Sequence, residues 1–320
     1  VRSAFLTALG AAGLWTAGSL AATSFVSAGA TRRHPPQGRF VAVPGGKLHL
    51  VDTGEPYPGA PAILLVHGAS SHHADLLSAL GPRMKAGARL IAVDRPGHGW
   101  SDRLGGREMA SPARQADAII AAMEAIGATR FVIVGHSLAG AVSTRIALER
   151  PDMARGLVLL GAVTHPWPGK AITWYYHPAS HALLGKAFAR LLAVPLGSAA
   201  LEGAIAGVFS PQAPPPDYAE TAQIRLALRP EIFEANAQDV AATYDFVEAQ
   251  APRYGELAMP VLAIAGEADE IVWARIHSVG MARDAQAGRL MLLPGVGHMP
   301  HHIVPDLIAS EALKMAEGTA

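Results

Sequence analysis

The 320-residue chain contains no cysteine. That excludes disulfides, a thiol nucleophile and thiolate-bound metal, and it leaves the redox compartment undecided. Charge is scarce as well: Asp, Glu, Lys and Arg make up 16% of the residues, with 26 basic groups balancing 26 acidic ones. Nothing in that balance draws the chain to nucleic acid or an anionic surface, so a small uncharged substrate fits better. There is no internal repeat. What is present is half hydrophobic, the composition of a well-buried globular protein with one large α/β domain or two smaller ones.

Charge is absent altogether from Ser3 to Thr31, and Ala4–Val26 is apolar and long enough to cross a bilayer as a helix. Arg2 precedes the segment; Arg32 and Arg33 follow it. Its length favours an uncleaved membrane anchor, so membrane association through residues 4–26 is expected. Ala28-Gly29-Ala30 is nevertheless an acceptable signal-peptidase site, and a buried core helix is the third reading. Thr31–Gly38, with paired prolines and basic residues, reads as a linker closing off residues 1–38 from everything after it. The expected location is membrane-anchored or exported. Basic residues on both flanks leave the side of the membrane open.

After the linker, Phe40–Val43 and Lys47–Asp52 flank Pro44-Gly45-Gly46 as a hairpin. Apolar strand patterns at Ala62–Val66, Arg89–Val93, Phe131–Val134 and Leu157–Val163 then alternate with helical ones at Ala74–Leu80, Pro112–Ile126 and Leu138–Arg150. This alternation predicts a mainly parallel sheet. It stops between Thr164 and Leu257, where helical patterns broken by Pro211 and Pro214-Pro215-Pro216 read as an insertion. Val261–Ala265 and Leu290–Leu293 restore buried strands, and a helix from Pro305 to Met315 closes the chain. The organisation is residues 1–38 as anchor or signal plus linker, 39–163 and 258–320 as core, and 164–257 as a helical cap.

The chemistry gathers in the loops that follow strands, because the carboxyl ends of parallel strands share one edge of the sheet. Gly135-His136-Ser137-Leu138-Ala139 joins strand to helix with no room for a loop. Such a turn strains the serine and lifts its side chain clear, and it tolerates only small residues two positions away. Ala139 stands where a second glycine is usual, with Gly140 one place later. A serine hydroxyl needs a base, and the base needs a carboxylate to fix its tautomer. Asp269 and His298 follow strands in the order Ser, Asp, His. Competing acids are Glu267, Glu270 and Asp245; competing bases are His301 and His302. His67, His72, His73 and His98 are numerous enough to invite a metal reading, but they lack the paired spacing of a ligand set, so no metal is expected.

Taken together, His67-Gly68, the Asp94–Ser101 loop, Gly135–Gly140, Gly266–Asp269 and Gly297-His298 make the chain resemble an α/β-hydrolase with a helical cap. The group it is similar to contains serine esterases, lipases and cofactor-free haloperoxidase-like enzymes. The resemblance covers Phe40 to the C-terminus. It implies an α/β-hydrolase fold, a mostly parallel central sheet with helices on both faces and a helical cap insertion. It also implies Ser137, Asp269 and His298 as triad, and the N–H groups of Leu138 and Ala69 as oxyanion hole. Gly68 and His136 would border the substrate, His136 with a structural role inside the elbow. Trp100, Trp167, Trp174 and Trp273 would line the pocket. The cap aromatics Trp167, Trp174, Tyr175, Tyr176 and Phe209 can equally be packing between cap and core. The implied reaction is hydrolysis of a small apolar ester without a cofactor. Perhydrolase or haloperoxidase, C–C hydrolase and lactonase chemistry remain open on the same triad, as does a binding receptor with little turnover. Dehalogenase and epoxide-hydrolase mechanisms need a carboxylate where Ser137 stands.

Overall fold

The computed structural model describes residues 2–319. A long helix, α1 (Arg2–Arg33), leads into the hairpin β1 (Arg39–Val43) and β2 (Gly46–Asp52). There follow β3 (Ala62–Val66), α2 (His73–Met84), β4 (Arg89–Val93), α3 (Pro112–Ala125), β5 (Phe131–His136), α4 (Ala139–Glu149) and β6 (Ala154–Leu160). The cap carries α5 (Tyr176–Ala179), α6 (Gly185–Phe188), α7 (Val194–Phe209), α8 (Tyr218–Thr221) and α9 (Pro230–Gln250), with a π-helical turn at Ala189–Ala193 joining α6 to α7. The core resumes with β7 (Val261–Gly266), α10 (His277–Asp284), β8 (Gly288–Leu293), α11 (Pro300–Ile303) and α12 (Pro305–Glu317).

The eight strands form one sheet in the order β1-β2-β4-β3-β5-β6-β7-β8. β1, β2 and β4 pair antiparallel and the rest parallel, which is the α/β-hydrolase fold. The period-two alternation of a strand explains why continuous apolar runs suit it. Leu64, Val66, Ile133 and Ala263 point to the face covered by Ile119 and Met123 of α3 and Val142 and Ile146 of α4. Ile63, Leu65, Val132, Val134 and Ile264 point to the other face, where Leu76 and Leu80 of α2 and Ile308 and Met315 of α12 cover them. Removing each such side chain from water contributes about 1.5–3 kcal/mol.

Three features depart from the sequence reading. First, Thr31–Gly38 does not separate the N-terminal segment from the domain. The helix runs on to Arg33, Ala30 and His34 are buried, Thr23 Oγ1 donates to the Arg190 carbonyl at 2.6 Å, and Arg33 pairs with Glu220 at 2.9 Å. Second, β8 is an edge strand, paired only with β7, and exposes Leu290 and Leu292 instead of burying them. An apolar run does not disclose whether a neighbour exists on both sides. Third, α10 has no counterpart in the sequence reading; its His, Val and Gly residues have weak helical preference, and burial of Met281 against the core outweighs that.

Leu65→Ala should therefore cost about 2–5 kcal/mol in urea unfolding. Leu292→Ala, on the exposed edge, should cost under about 1 kcal/mol. Equal losses would contradict the edge position of β8.

Candidate active site

Ser137 sits at the end of β5 with φ +54, the left-handed region that costs a non-glycine residue of order 1 kcal/mol or more. Two backbone bonds hold it there: Ser137 N–H donates to Leu160 O at 3.0 Å and Val163 N–H to Ser137 O at 2.9 Å. The elbow is thus stapled to the end of β6. Space, as well as dihedral angle, selects the small neighbours. A Cβ on Gly140 would lie 2.6 Å from Val163 O, and one on Gly68 would lie 2.9 Å from Ser137 Cβ. Gly140, not the position filled by Ala139, is where a methyl is excluded; Ala139 is itself fully buried in the α3/α4 layer.

The structure brings the three expected side chains together. His298 Nε2 lies 3.0 Å from Ser137 Oγ, and His298 Nδ1 lies 2.8 Å from Asp269 Oδ2. All three residues are buried. The N–H groups of Ile271 and Val272 donate to Asp269 Oδ1 at 2.8 and 2.9 Å. The carboxylate is thereby oriented, leaving Oδ2 for the histidine. Glu267 and Glu270 are exposed, Asp245 pairs with Lys170, and His302 binds Asp75 instead. Gly161 after β6 (φ +46) clears the space beside the pair: a Cβ there would meet Asp269 Oδ2 at 3.2 Å and His298 Nδ1 at 3.4 Å. From the cap, Gln212 accepts from Gly297 N–H at 3.0 Å and donates to Gly295 O at 2.6 Å, clamping the histidine loop on both sides.

The loop carrying Ala69 is fixed by a buried arginine that the sequence reading did not single out. Arg95 uses all five of its N–H groups. Nε donates to His67 O, Nη1 to Gln115 Oε1 and Asp239 Oδ2, and Nη2 to Gly68 O and His98 Nε2, at 2.7–3.3 Å. Arg103 pairs with the other oxygen of Asp239 at 2.7 Å. A buried charge is tolerable only with such complete pairing. It ties the His67–Ser70 loop to α9 of the cap. Asn236, one turn earlier on α9, accepts from Ser70 N–H at 2.7 Å and holds Ser70 Oγ at 3.1 Å. The buried face of α9 also carries Gln238, Thr243 and Gln250, so polar residues recurring at helical spacing were the available signal.

His136 lies behind the elbow and not in the pocket. Its Nε2–H donates to His298 O at 3.0 Å, and its ring packs on His301 at 4.5 Å. The tryptophans are placed differently from a pocket lining too. Trp174 is 71% exposed and Trp273 is also exposed, with Arg275 over its ring. Trp167 stacks on Tyr244, joining cap to core with His277, and Trp100 lies under Arg229. Bulky indoles satisfy several kinds of boundary, and sequence does not say which. Tyr176, whose hydroxyl is 3.4 Å from Asn236 Nδ2, comes nearer to the oxyanion loop.

Among the described residues, two buried groups gather metal-type ligands, His49/His73/Asp94 and Asp75/His136/His301. In the first, Asp94 is saturated: it accepts from His49 Nδ1, His73 Nδ1, His73 N–H and Trp100 N–H, all at 2.8–2.9 Å, while His49 Nε2 accepts from Gly38 N–H. This is a hydrogen-bonded hub pinning the Asp94–Ser101 loop. In the second, Asp75 accepts from His302 at 2.8 Å and from Ser71 and Tyr218 at 3.2 Å.

Residues 61–303 match the family described as alpha/beta hydrolase fold, and the chain belongs to that family. It is 31% identical over 154 residues to a 2-hydroxymuconate semialdehyde hydrolase of Pseudomonas putida, covering 47% of this chain and 53% of the relative. It is 30% identical over 167 residues to haloalkane dehalogenase 2 of Mycobacterium tuberculosis, covering 51% of this chain and 50% of the relative. The chain thus spans about half the length of these sequence relatives. Among solved structures, a thermophilic esterase from Thermogutta terrifontis superposes with TM-score 0.69 at 20% identity, over 88% of this chain and 99% of that one. The 2-hydroxy-6-oxo-6-phenylhexa-2,4-dienoate hydrolase of Rhodococcus superposes with TM-score 0.70 at 20% identity over the same shares. These likenesses show the fold.

Burial holds His72, His277 and His301 down to about 4. Unfolded, each takes a proton near pH 6.5, so the unfolded state binds more protons between those values. Stability is then fully present above about pH 7 and is lost as pH falls from about 6.5 toward 4, by up to about 1.4 kcal/mol per pH unit for each histidine. Urea midpoints should follow that curve; a flat profile from pH 7 to 4.5 would contradict neutral buried histidines.

Proposed function

We propose that the protein is a serine hydrolase of small uncharged carboxylic esters. The observation that carries the reading is the continuous hydrogen-bonded line Ser137 Oγ, His298, Asp269 at 3.0 and 2.8 Å. His298 takes the Ser137 proton as Oγ attacks the ester carbonyl, and the oxyanion is met by the N–H groups of Leu138 and Ala69. His298 then passes the proton to the departing alcohol. In the second half water, deprotonated by the same imidazole, attacks the acyl-enzyme; the acid leaves and Oγ recovers its proton. Asp269 fixes the imidazole so that Nε2 faces the serine.

The relatives include enzymes named for C–C bond hydrolysis and for dehalogenation. A carboxylate nucleophile is ruled out by Ser137 itself. A dienoate substrate carries a carboxylate that calls for a free cation; Arg95, the buried guanidinium at the oxyanion loop, has no N–H to spare, whereas Arg229 beside Gly99 keeps an Nε with no hydrogen-bond partner among the described residues.

The second part of the proposal is that α1 anchors the protein in a membrane. It rests on the charge-free run Ser3–Thr31 and on the outward position of Leu14, Trp15, Leu20 and Phe25, with Arg32 and Arg33 at its end.

On p-nitrophenyl butyrate, Ser137→Ala should lower kcat about 10⁶-fold and Asp269→Asn about 10⁴-fold, with urea midpoints near the parent's. A Ser137→Ala protein that retains parental turnover would overturn the mechanism. Faster cleavage of a 2-hydroxy-6-oxo-dienoate than of the butyrate would replace the ester reading with C–C hydrolysis.

A further inference from the structure

A second apolar stretch of membrane-crossing length lies in the cap. Among the described residues one helix passes on length and composition, Gly185–Phe209, formed by α6, the π turn and α7. It belongs to the cap, and one side of α7 is occupied: Leu201, Ile205 and Phe209 pack with Met299, the residue after His298, and with Val26 of α1. The helix therefore roofs the site and cannot thread through a membrane as an isolated span.

Its other side is unusual for a surface in water. Leu192, Leu196, Ala199, Gly203 and Ala206 recur at helical spacing on one stripe, and every one is exposed. No charge interrupts them; Glu202 lies on the flank. An amphipathic helix in water places charged residues there. α1 is inverted outright. Among its described side chains the buried ones are Ser19, Thr23 and Ala30, small or hydroxylated, whereas Leu14 is 78% and Phe25 76% exposed, with Trp15 and Leu20 also outward. Small residues between helices and large apolar ones outside is the packing of helices solvated by lipid. The two helices touch: Thr23 Oγ1 donates to Arg190 O in the π turn, which sets α1 beside the α6–α7 helix. Leu183 and Leu184, 84% and 60% exposed, stand just before α6, whose Lys186 is exposed as well.

We propose that the outer face of α6–α7 rests in the bilayer beside α1, so that the roof of the active site is membrane-embedded and the substrate is an ester dissolved in lipid. The proposal builds on the α1 anchor reading. The occupant is lipid because the α7 stripe is charge-free, α1 is inverted, and the patch lies beside a segment of membrane-crossing length. An ester reaching Ser137 from the bilayer need not leave the apolar phase before meeting α7 and Met299.

The absence of cysteine makes the test direct. Single variants Leu14→Cys, Leu196→Cys and Ala206→Cys, with Thr129→Cys in the loop before β5 as reference, are labelled with a nitrobenzoxadiazole dye. The full chain is then reconstituted in vesicles of phosphatidylcholine and phosphatidylglycerol. Labels at 14, 196 and 206 should shift to the blue and be quenched by nitroxide-bearing lipid, and the label at 129 should do neither. Response at 14 alone overturns the cap proposal and leaves the anchor standing; response at none of the three overturns both. A blue shift at 196 and 206 that lipid nitroxide does not quench means that protein, such as a second copy, covers the face, and this also overturns the proposal. In a second arm, Leu192→Glu/Leu196→Glu should cleave water-soluble p-nitrophenyl acetate within twofold of the parent but vesicle-dissolved p-nitrophenyl palmitate at least tenfold more slowly. Equal rates relative to the parent on both esters would contradict a lipid-facing roof.

Discussion

Steric crowding around Ser137 is the constraint on which the rest of the site depends. The serine occupies a left-handed backbone position that nothing local favours, and it is held because β5 must turn into α4 while the ends of β3 and β6 press against it. Gly68 and Gly140 meet the elbow where a Cβ would collide with Ser137 or with Val163, and Gly161 leaves room for Asp269 and His298. Strain at Ser137 is sustained by the surrounding sheet, whose strands β3, from Ile63 on, and β5 are buried on both faces. The loops reach the same point because parallel strands deliver their carboxyl ends to one edge.

Around that point the cap is a structural partner of the catalytic loops. Asp239 and Asn236 on α9 grip the His67–Ser70 loop through Arg95 and Ser70, and Gln212 grips the Gly295–His298 loop. The Arg95–Asp239 pair is fully desolvated, so removing either partner would strand a buried charge. Cap and chemistry are therefore coupled by polar contacts whose geometry is specific, while α7 contributes an apolar roof. Held from both sides in this way, the His67–Ser70 and Gly295–His298 loops keep their geometry independently of any ligand.

Much of the core was legible because its signals are local. Apolar runs bounded by Gly and Pro marked β3 to β7, and the Ser, Asp, His order after successive strands picked out the three side chains that the structure places in contact. Less legible was whatever depends on a distant neighbour. Leu290 and Leu292 look like core until β8 is seen to have one partner. Arg95 looks like a turn residue until Asp239 arrives from 144 positions away. Trp174 and Trp273 have pocket chemistry, but chain direction leaves them facing outward. The contact of α1 with the cap was hidden for a different reason: its buried stripe is Ser, Thr and Ala, which carry no hydrophobic pattern toward the protein.

The central claim is that Ser137 is an activated nucleophile. The most direct measurement is reaction of the folded full-length protein with a fluorophosphonate, followed by peptide mapping. The account predicts stoichiometric modification confined to Ser137, lost on unfolding and in His298→Ala. An unmodified Ser137, or modification at another residue with His298 intact, would contradict it.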